Sequence, residues 1–325
     1  MWLCTSTNRT MSLACLAVVA LSATPGCAYD SFSTVYHFPN TPYTDVENIA
    51  VRSNGQLLLN TITGSNTYLL DPSASSPTPQ LLHTFAGASS SLGITETQAE
   101  IFAVVVGNYS QTTFAGVQGS FAIWTLDLRG GLPGVAKKVV SIPEAKALNG
   151  ATTVSGNNNL ILVADSGLGA IWRVDVSNGA YTEIYQNAVL APSGTVAVGI
   201  NGIRSHGSNV YFTNSATGKF GVLTFSSSGV PMSDPAIIAS VLSSNYTYDD
   251  FAVDANGNAY ITNHSNQLSL VTASGSQSLI ENSVSFDQPS SAAFGRTAGK
   301  TCTLYVVTGG TPGTDSGAVL AVQAC

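Results

Sequence analysis

Residues 249–263 read DDFAVDANGNAYITN. Two apolar runs, Phe-Ala-Val and Ala-Tyr-Ile, stand on either side of the turn sequence Asp-Ala-Asn-Gly-Asn. An Asn-Gly dipeptide between two apolar runs is a strong short-range signal for a β-hairpin. The stretch therefore predicts two antiparallel strands, the first of which begins at an acidic pair.

Similar stretches occur six times along the chain. Their first residues are 45, 57, 52, 48 and 41 positions apart. This spacing is typical of β-propeller blades, which use four strands in about 40–50 residues. A β-sandwich, the other all-β architecture considered, does not explain six copies. The six first residues are Glu47, Leu92, Asn149, Asn201, Asp249 and Ser290.

The segment that precedes the first copy is suited to complete the ring. Residues 32–38 read FSTVYHF, and this strand is well placed to become the outer strand of the last blade. A closed ring has no free sheet edge to pair with other chains. We therefore predict an all-β fold, with one six-bladed β-propeller over residues 29–325 that is closed by an N-terminal strand.

The composition limits the classes of function. Only 9% of the 325 residues are charged and the net charge is −7, whereas a typical soluble domain has about 25% charged residues. A nucleic-acid-binding protein needs a basic surface that releases counterions from phosphates, so we expect no nucleic-acid partner. The hydrophobic content of 44% excludes a disordered chain.

The first 28 residues have the features of a secretory signal peptide. They contain one basic residue, an apolar run over residues 11–21 and small residues before a cleavage point after Ala28. The apolar run is shorter than the ~18 residues that a membrane span needs. We expect a chain in the secretory pathway, secreted or vesicular, with no membrane contact after cleavage.

The remaining cysteines and sequons agree with secretion. Cys302 and Cys325 are the two cysteines beyond the leader, and an isolated pair in an oxidising compartment predicts a disulfide bond. Three Asn-x-Ser/Thr sequons, at Asn108, Asn245 and Asn263, predict N-glycosylation.

Polar residues recur at the position where the blades begin. The first strand of each propeller blade lines the central channel, and four of the six starts are Glu47, Asn149, Asn201 and Asp249. Two carboxylates and two amides that converge on one axis suit a divalent cation, a polar substrate, or acid/base work if burial shifts a pKa. The alternative is local turn chemistry, in which Asn and Asp stabilise strand entries.

The starts resemble those of the SMP-30/gluconolactonase family of six-bladed propellers. The resemblance implies that Glu47, Asn201 and Asp249 bind a divalent cation such as Ca or Zn. It also implies that Asn149 contacts metal-bound water or substrate, that Asp249 is a general base, and that the reaction is a metal-dependent lactone hydrolysis.

The blade-three motif departs from this family. The family usually has an Arg shortly before its Asn and an Asp directly after it. Here Ala147 and Leu148 precede Asn149, and Gly150 follows it.

In overall character the chain is similar to a second group, the fungal hetero-Diels–Alderases of tropolone-sesquiterpenoid pathways. That resemblance implies a cofactor-free cycloaddition between a tropolone ortho-quinone methide and a humulene-type sesquiterpene. Asn149 and Asn201 would donate to the quinone-methide oxygen. Glu47 or Asp249 would assist the loss of water from a hydroxymethyl precursor.

A small apolar or aromatic substrate needs apolar walls. We expect Tyr43, Leu92, Phe251 and Phe294 to supply them at the channel mouth, with Ser290 at the same level.

A non-enzymatic secreted binding propeller is the third interpretation, and the sequence leaves the oligomeric state open. The four histidines, 37, 83, 206 and 264, are scattered, and surface or turn positions are expected for them. The alternative is that His206 or His264 reaches the channel, since each lies just beyond the start of a blade.

Overall fold

The computed structural model describes residues 32–110, 112–113, 115–243 and 245–324. All regular elements in these ranges are β-strands, which form six four-stranded antiparallel sheets and one short hairpin. This arrangement confirms the predicted six-bladed propeller. No helix in the described ranges is long and apolar enough to cross a membrane. The predicted signal peptide, residues 1–28, and Cys325 lie outside the described residues.

In each blade the strands follow one another from the centre of the ring outwards. Blade 1 contains β2 (Val46–Val51), β3 (Leu57–Thr61), β4 (Asn66–Leu70) and β5 (Gln80–Thr84). Blade 2 contains β6 (Ser90–Gln98), β7 (Ile101–Gly107), β10 (Ala122–Asp127) and β11 (Val135–Ser141). The hairpin of β8 (Tyr109–Ser110) and β9 (Ala115–Gly116) lies between β7 and β10 in the chain. Blade 3 contains β12 (Leu148–Val154), β13 (Asn157–Asp165), β14 (Ala170–Asp175) and β15 (Tyr181–Gln186).

The other three blades repeat this order. Blade 4 contains β16 (Ile200–His206), β17 (Asn209–Asn214), β18 (Lys219–Thr224) and β19 (Ala236–Ser240). Blade 5 contains β20 (Thr247–Val253), β21 (Ala259–His264), β22 (Gln267–Val271) and β23 (Gln277–Asn282). Blade 6 contains β24 (Pro289–Phe294), β25 (Thr303–Thr308), β26 (Ala318–Gln323) and, as its outer strand, β1 (Phe32–His37).

The two ends of the chain close the ring. β1 pairs antiparallel with β26, with Phe32 opposite Val322 and His37 opposite Ala318. Each inner strand also packs against the inner strands of both neighbouring blades, so that β2, β6, β12, β16, β20 and β24 surround one axis. The predicted closure by an N-terminal strand is confirmed.

The hydrophobic core is divided among the six interfaces between blades. Each of six buried clusters combines residues from two adjacent blades: Leu58 and Phe102 meet between blades 1 and 2, for example, and Leu162 and Phe212 between blades 3 and 4. Burying apolar area is the main stabilising contribution to folding, at about 25 cal/mol per Å². The apolar faces of the blades pack against one another, so polar side chains line the centre of the ring.

Every inner strand has a break in its register near the residue at which the repeat begins. The pairing with the second strand shifts between Leu148 and Ala151 in blade 3, and between Ile200 and Ile203 in blade 4. Corresponding shifts occur in the other four blades. A β-bulge changes the direction of the side chains around it. The repeated bulge therefore allows the start residues of five blades to face the axis, whereas Leu92 of blade 2 packs into the core between blades 2 and 3.

The glycines that follow Leu92, Asn149 and Asn201 have a packing role. A Cβ on Gly150 would lie 2.6 Å from the carbonyl oxygen of Asn201 on the next inner strand, and one on Gly202 would collide with the Asp250 side chain. The Asn-Gly pairs are therefore not hairpin turns. They occur where one inner strand approaches the next more closely than a side chain allows.

Candidate active site

A cavity of about 560 Å³ occupies one end of the central channel. Its wall includes all four predicted polar residues, Glu47, Asn149, Asn201 and Asp249, together with Ser290. Loops at the same end complete it, notably residues 195–198 between blades 3 and 4 and residues 309–312 between β25 and β26. The repeat position thus brings together the candidate residues that the sequence indicated.

Both carboxylate oxygens of Asp249 have hydrogen-bond partners. Asn201 donates from Nδ2 to Asp249 Oδ1 at 2.6 Å and also to Ser215 Oγ at 2.9 Å. His264 Nε2 lies 2.6 Å from Asp249 Oδ2. On its other side, His264 Nδ1 lies 2.5 Å from Gln288 Oε1. The carboxylate is therefore fixed by two blades, because β16 supplies Asn201 and β21 supplies His264.

The surroundings of His264 favour its charged form. Both ring nitrogens face acceptor oxygens, which only the imidazolium can satisfy as a double donor. Burial opposes protonation, but the Asp249 carboxylate and the hydrogen bonds to Asp249 and Gln288 raise the pKa of His264 to about 9. The expectation of a surface or turn position for this histidine is wrong. His264 ends the second strand of its blade, which antiparallel pairing with Thr247 brings back to the channel mouth.

Glu47 faces the same cavity without a hydrogen bond or ion pair to any described residue. Burial is the main cause that raises its pKa well above the usual 4.5, and the carboxylates of Asp249, Asp45 and Asp250 add to this effect. Such surroundings favour the protonated form of a carboxyl group. Glu47 is therefore a proton donor that the protein itself leaves unused.

A third acid in the wall, Asp45, was not predicted from the sequence. Burial, together with the nearby Asp249 carboxylate and against the attraction of His264, raises the pKa of Asp45 to about 6. Tyr43 donates from its hydroxyl to Asp45 Oδ2 at 3.4 Å and to the carbonyl of Gly309 at 3.0 Å. Asp45 therefore changes its charge close to physiological pH, as an acid or base of catalysis must.

Asn149 differs from Asn201 in having no partner. Its side chain is 4% exposed and lines the cavity, yet it forms no hydrogen bond with any described residue. A buried amide without a partner costs about 1–3 kcal/mol, and such groups in native structures usually face a ligand or water. The amide of Asn149 is therefore available to a ligand, whereas that of Asn201 is occupied by Asp249 and Ser215.

A second polar network closes the channel one residue further along β20. The Asp250 carboxylate accepts from Arg204, from Asn48 Nδ2 at 3.0 Å and from Ser291 Oγ at 2.8 Å. These side chains come from the inner strands of blades 1, 4, 5 and 6, so they meet at the axis. Arg204 is therefore paired with Asp250, and no Arg or Lys is among the described residues that line the cavity.

The apolar part of the cavity wall differs from the prediction. Of the five residues that the sequence indicated for substrate binding, Tyr43 and Ser290 line the cavity. The apolar surface comes instead from residues that the repeat pattern did not mark, namely Ile62, Tyr109, Val196, Ala197, Val198 and Pro312.

Three predicted wall residues pack in the interfaces between blades, Leu92 and Phe251 fully buried and Phe294 half-buried. Leu92 and Phe251 are 0% exposed, and the ring of Phe251 packs edge-on against Phe220 with centroids 5.2 Å apart. Phe294 packs against Tyr260 in the interface of blades 5 and 6. Their assignment to substrate binding is therefore wrong, because these side chains belong to the core that joins the blades.

The sequon residues occupy different surroundings. Asn245 is exposed and Asn108 is half-buried. Asn263 is 3% exposed and donates from Nδ2 to Ser269 Oγ at 2.7 Å. A glycan would have to be attached to that buried nitrogen. The fold therefore does not favour glycosylation at Asn263.

Cys302 lies just before β25, and its carbonyl accepts a hydrogen bond from the backbone of Ala324 at 2.9 Å. The residue before Cys325 is thus next to Cys302. The Cys302–Cys325 disulfide bond remains a prediction, since Cys325 lies outside the described residues.

The donor set implied for a divalent cation does not fit one in this arrangement. Asp249 has both oxygens engaged, by Asn201 and by His264, and the Asn201 amide group is turned to Asp249. Across the described chain, no group of three or more His, Cys, Asp or Glu side chains is arranged to hold a metal ion. A cation at Asp249 would have to displace the imidazole.

The chain has relatives at modest identity. It is 27% identical to the "Putative hetero-Diels-Alderase asR5" of Sarocladium schorii over 311 residues, which cover 84% of this chain and 76% of the relative. It is 25% identical over 307 residues to a protein of the same description from Phoma sp., with 84% of this chain and 85% of that protein covered. No protein-family model matches the chain.

The solved structures that it resembles share its fold. A luciferin-regenerating enzyme superposes with a TM-score of 0.64 at 14% identity, covering 90% of this chain and 95% of the other. Regucalcin from Agrobacterium tumefaciens gives 0.61 at 12% identity with 90% and 94% covered, and a gluconolactonase from Xanthomonas campestris gives 0.59 at 13% identity with 90% and 89% covered. The chain thus has the six-bladed architecture of SMP-30/gluconolactonase-like proteins, and its sequence is similar to proteins described as hetero-Diels-Alderases.

Proposed function

We propose that the protein is a hetero-Diels–Alderase that joins a tropolone-type ortho-quinone methide to a humulene-type alkene in the cavity at the channel mouth. The observation that carries this proposal is the composition of the cavity wall. The wall presents the polar groups of Glu47 and Asn149 together with the apolar side chains of Ile62, Val196 and Val198. The two relatives described as hetero-Diels-Alderases support the same reaction class.

The reaction makes few covalent demands on a protein. Two reactants must be held face to face, and good orientation contributes up to about 7–11 kcal/mol in favourable cases. The volume of about 560 Å³ falls within the range of about 300–1,000 Å³ found for pockets that enclose small molecules. The apolar surface suits the hydrocarbon partner and excludes the water that would consume a quinone methide.

The polar side of the cavity suits the oxygen of the quinone methide. Cycloaddition increases negative charge on that oxygen, and a fixed donor in a site of low dielectric stabilises this charge. We assign this contact to the Asn149 amide and the protonated Glu47 carboxyl. The imidazolium of His264 adds a positive charge beside them, while Asn201 and Asp249 position the imidazolium.

Formation of the quinone methide requires the loss of water from a hydroxymethyl precursor. The C–O bond breaks as Glu47 gives its proton to the departing hydroxyl group, and the ring hydroxyl of the precursor gives its proton to Asp45. Water leaves and the neutral quinone methide remains, so that atoms and charges balance. The raised pKa values of Glu47 and Asp45 suit these two roles.

The experiment is an incubation of the purified chain with a hydroxymethyl tropolone and a humulene-type alkene, followed by chiral chromatography and mass spectrometry. We expect one cycloadduct stereoisomer to form faster than in buffer. A product that forms at the buffer rate with the buffer's isomer ratio would refute the proposal. The exposed His206→Ala variant is the control, because His206 does not line the cavity.

A metal-dependent lactonase is not proposed, because two of the three residues that would bind the metal, Asn201 and Asp249, are hydrogen-bonded to each other and His264 occupies the other oxygen of Asp249. From the features of residues 1–28, we also propose that the chain enters the secretory pathway.

A further inference from the structure

Gln288 has a backbone conformation that its place in the sequence does not favour. Its φ of 53° lies in the left-handed region, which residues other than glycine rarely adopt. It also precedes Pro289, and a residue before proline normally has an extended backbone. Among the described residues, Glu100 is the only other non-glycine residue with a positive φ. Strained backbone of this kind concentrates at functional sites, where neighbouring contacts hold it in place.

The backbone hydrogen bonds of Gln288 do not by themselves require this conformation. Its N–H donates to the Ser265 carbonyl at 2.8 Å, and its carbonyl accepts from the Gly309 N–H at 2.8 Å. Gly199, at the entry to blade 4, makes the two corresponding bonds at 2.9 and 3.0 Å. It does so without a left-handed φ, although glycine adopts one freely. The strain at Gln288 is therefore explained by where it holds the side chain, not by the backbone pairing.

The side chain of Gln288 is half-buried and lines the cavity. Its Oε1 lies 2.5 Å from His264 Nδ1, whereas its Nε2 has no hydrogen-bond partner among the described residues. The imidazole takes one end of the amide whether or not it is charged, so the other end stays available to a ligand. A polar group that is held in place before a ligand arrives loses little freedom on binding, so the Gln288 amide is preorganised.

The proposed substrate has an oxygen that the contacts assigned above leave unused. A tropolone carries a carbonyl and a hydroxyl on adjacent ring carbons, and Glu47 and Asn149 are assigned to the oxygen that becomes part of the quinone methide. Gln288 lines the same cavity as these two residues. The hydroxyl of Tyr43, another donor in the wall, is already bonded to the Gly309 carbonyl at 3.0 Å. The free Nε2 of Gln288 is therefore a suitable donor for the second ring oxygen.

We infer that Gln288 contacts the substrate and selects rings with two adjacent oxygens, by donating from Nε2 to the second oxygen of a tropolone. This contact rests on the function proposed above, because it concerns the same substrate. Tropone, the same ring with one oxygen, would leave one of the donors without a partner. A site built to hydrogen-bond a substrate oxygen rejects the analogue that lacks it.

The first test uses the full-length protein, with its glutamines labelled with ¹⁵N and tropolone as the probe. The side-chain amide signal of Gln288 is identified in the NMR spectrum by its absence in the Gln288→Glu variant. We expect this signal to shift when tropolone is added. A signal that stays in place, whether tropolone binds elsewhere or does not bind, would overturn the inference.

The second test compares tropolone with tropone by isothermal titration calorimetry. Gln288→Glu keeps an acceptor for His264 but loses the donor, and Gln288→Met loses both without adding a charge. We expect both variants to bind tropolone about 2- to 12-fold more weakly, the factor for one hydrogen bond, and to lose the preference over tropone. Gln80→Glu, an exposed glutamine on β5 outside the cavity, is the matched control and should keep both affinities. An equal loss for the two probes would show a purely structural role and would contradict the inference.

The third test measures the strain at Gln288. Gln288→Gly and Gln288→Ala both lack the amide, but only glycine adopts the left-handed conformation freely, so Gln288→Gly should have the higher Tm. Equal Tm values would show that the backbone is not strained and would contradict the inference. Gln288→Gly also replaces Gln288→Glu in the calorimetry if the latter does not fold.

The contact and the cycloaddition fail in different ways. A protein that binds tropolone through Gln288 but forms no cycloadduct would refute the proposed function and leave the contact in place. A Gln288→Glu protein that forms the cycloadduct with the native KM for the tropolone partner would refute the contact and leave the proposed function in place.

Discussion

Asp249 and Asp250 are neighbours in the chain, but their carboxylates belong to separate networks. Asp249 lies in the cavity wall and is held by Asn201 and His264, whereas Asp250 joins Arg204, Asn48 and Ser291 at the axis. The bulge between Tyr248 and Phe251 allows both side chains to face the channel, because strict alternation along β20 would send one of two neighbours away from it. Asp249 thus belongs to the candidate site, and Asp250 belongs to the network at the axis beneath it.

Replacing Asp250 with Ala is expected to destabilise the fold strongly. Asp250 is 2% exposed, and its loss leaves the half-buried Arg204 guanidinium without an anionic partner. Removing one member of a buried ion pair typically costs about 3–5 kcal/mol. Urea unfolding followed by circular dichroism measures the loss. Asp127→Ala, which breaks the exposed ion pair with Arg129, is the control and should change little. Equal midpoints for the two variants would show that the axial network does not support the fold.

The sequence predicted the ring and the polar members of the site because both follow from the repeat. Starts at similar intervals place Glu47, Asn149, Asn201 and Asp249 at one level of one channel. The prediction of the apolar wall residues was wrong for a physical reason. Strict alternation would place Asp249 and Phe251 on the same face, but the bulge between them sends Phe251 into the interface of blades 4 and 5.

Other site residues carry weaker signals in the sequence. His264 is the last residue of the second strand of blade 5. Antiparallel pairing brings the end of each second strand back to the level at which the first strand begins. Hairpin geometry alone therefore indicates that His264 lies near the channel mouth. Asp45 precedes the first blade by two residues and was passed over because it lies outside the repeat. Val196 and Val198 lie in an irregular loop that no periodicity marks.

Replacing Gly150 with Ala is expected to disturb the site and the fold together. A Cβ at this position would lie 2.6 Å from the Asn201 carbonyl oxygen, so blades 3 and 4 would have to separate. Overpacking of this kind typically costs about 1–3 kcal/mol. Urea unfolding measures the cost. Gly130→Ala is the control, because nothing lies within 4 Å of a Cβ there. A Gly150→Ala protein as stable as the control would show that the inner strands have room to move apart.

The stabilising effect of His264 is expected to disappear in alkaline solution. Its pKa is raised from 6.5 to about 9 in the folded state, so the contribution is complete below pH 6.5 and is lost as the pH rises through 9. The difference in Tm between the native protein and His264→Asn should therefore be largest near pH 6 and should shrink towards pH 10. Asp45 also faces the site, and its pKa of about 6 is held down by the attraction of His264, so the variant changes the titration of Asp45 as well. The decrease in the Tm difference between pH 8 and pH 10 is therefore the part that reports the imidazole. A difference in Tm that stays constant from pH 6 to 10 would mean that His264 is not protonated beside Asp249.

Replacing Glu47 with Gln is expected to separate the two chemical steps that share the cavity. Glutamine retains a hydrogen-bond donor for the quinone-methide oxygen but has no proton to give to a departing hydroxyl group. With the hydroxymethyl precursor as substrate, the variant should lose about 10²–10⁴ in rate, which is the usual contribution of a general acid. With the quinone methide released in situ from a photolabile precursor, the rate and the stereochemistry should be nearly those of the native protein. Glu47→Ala, which lacks the donor as well, should be slower in both assays. If Glu47→Gln slows both assays equally, Glu47 acts in the cycloaddition itself and the dehydration needs another acid.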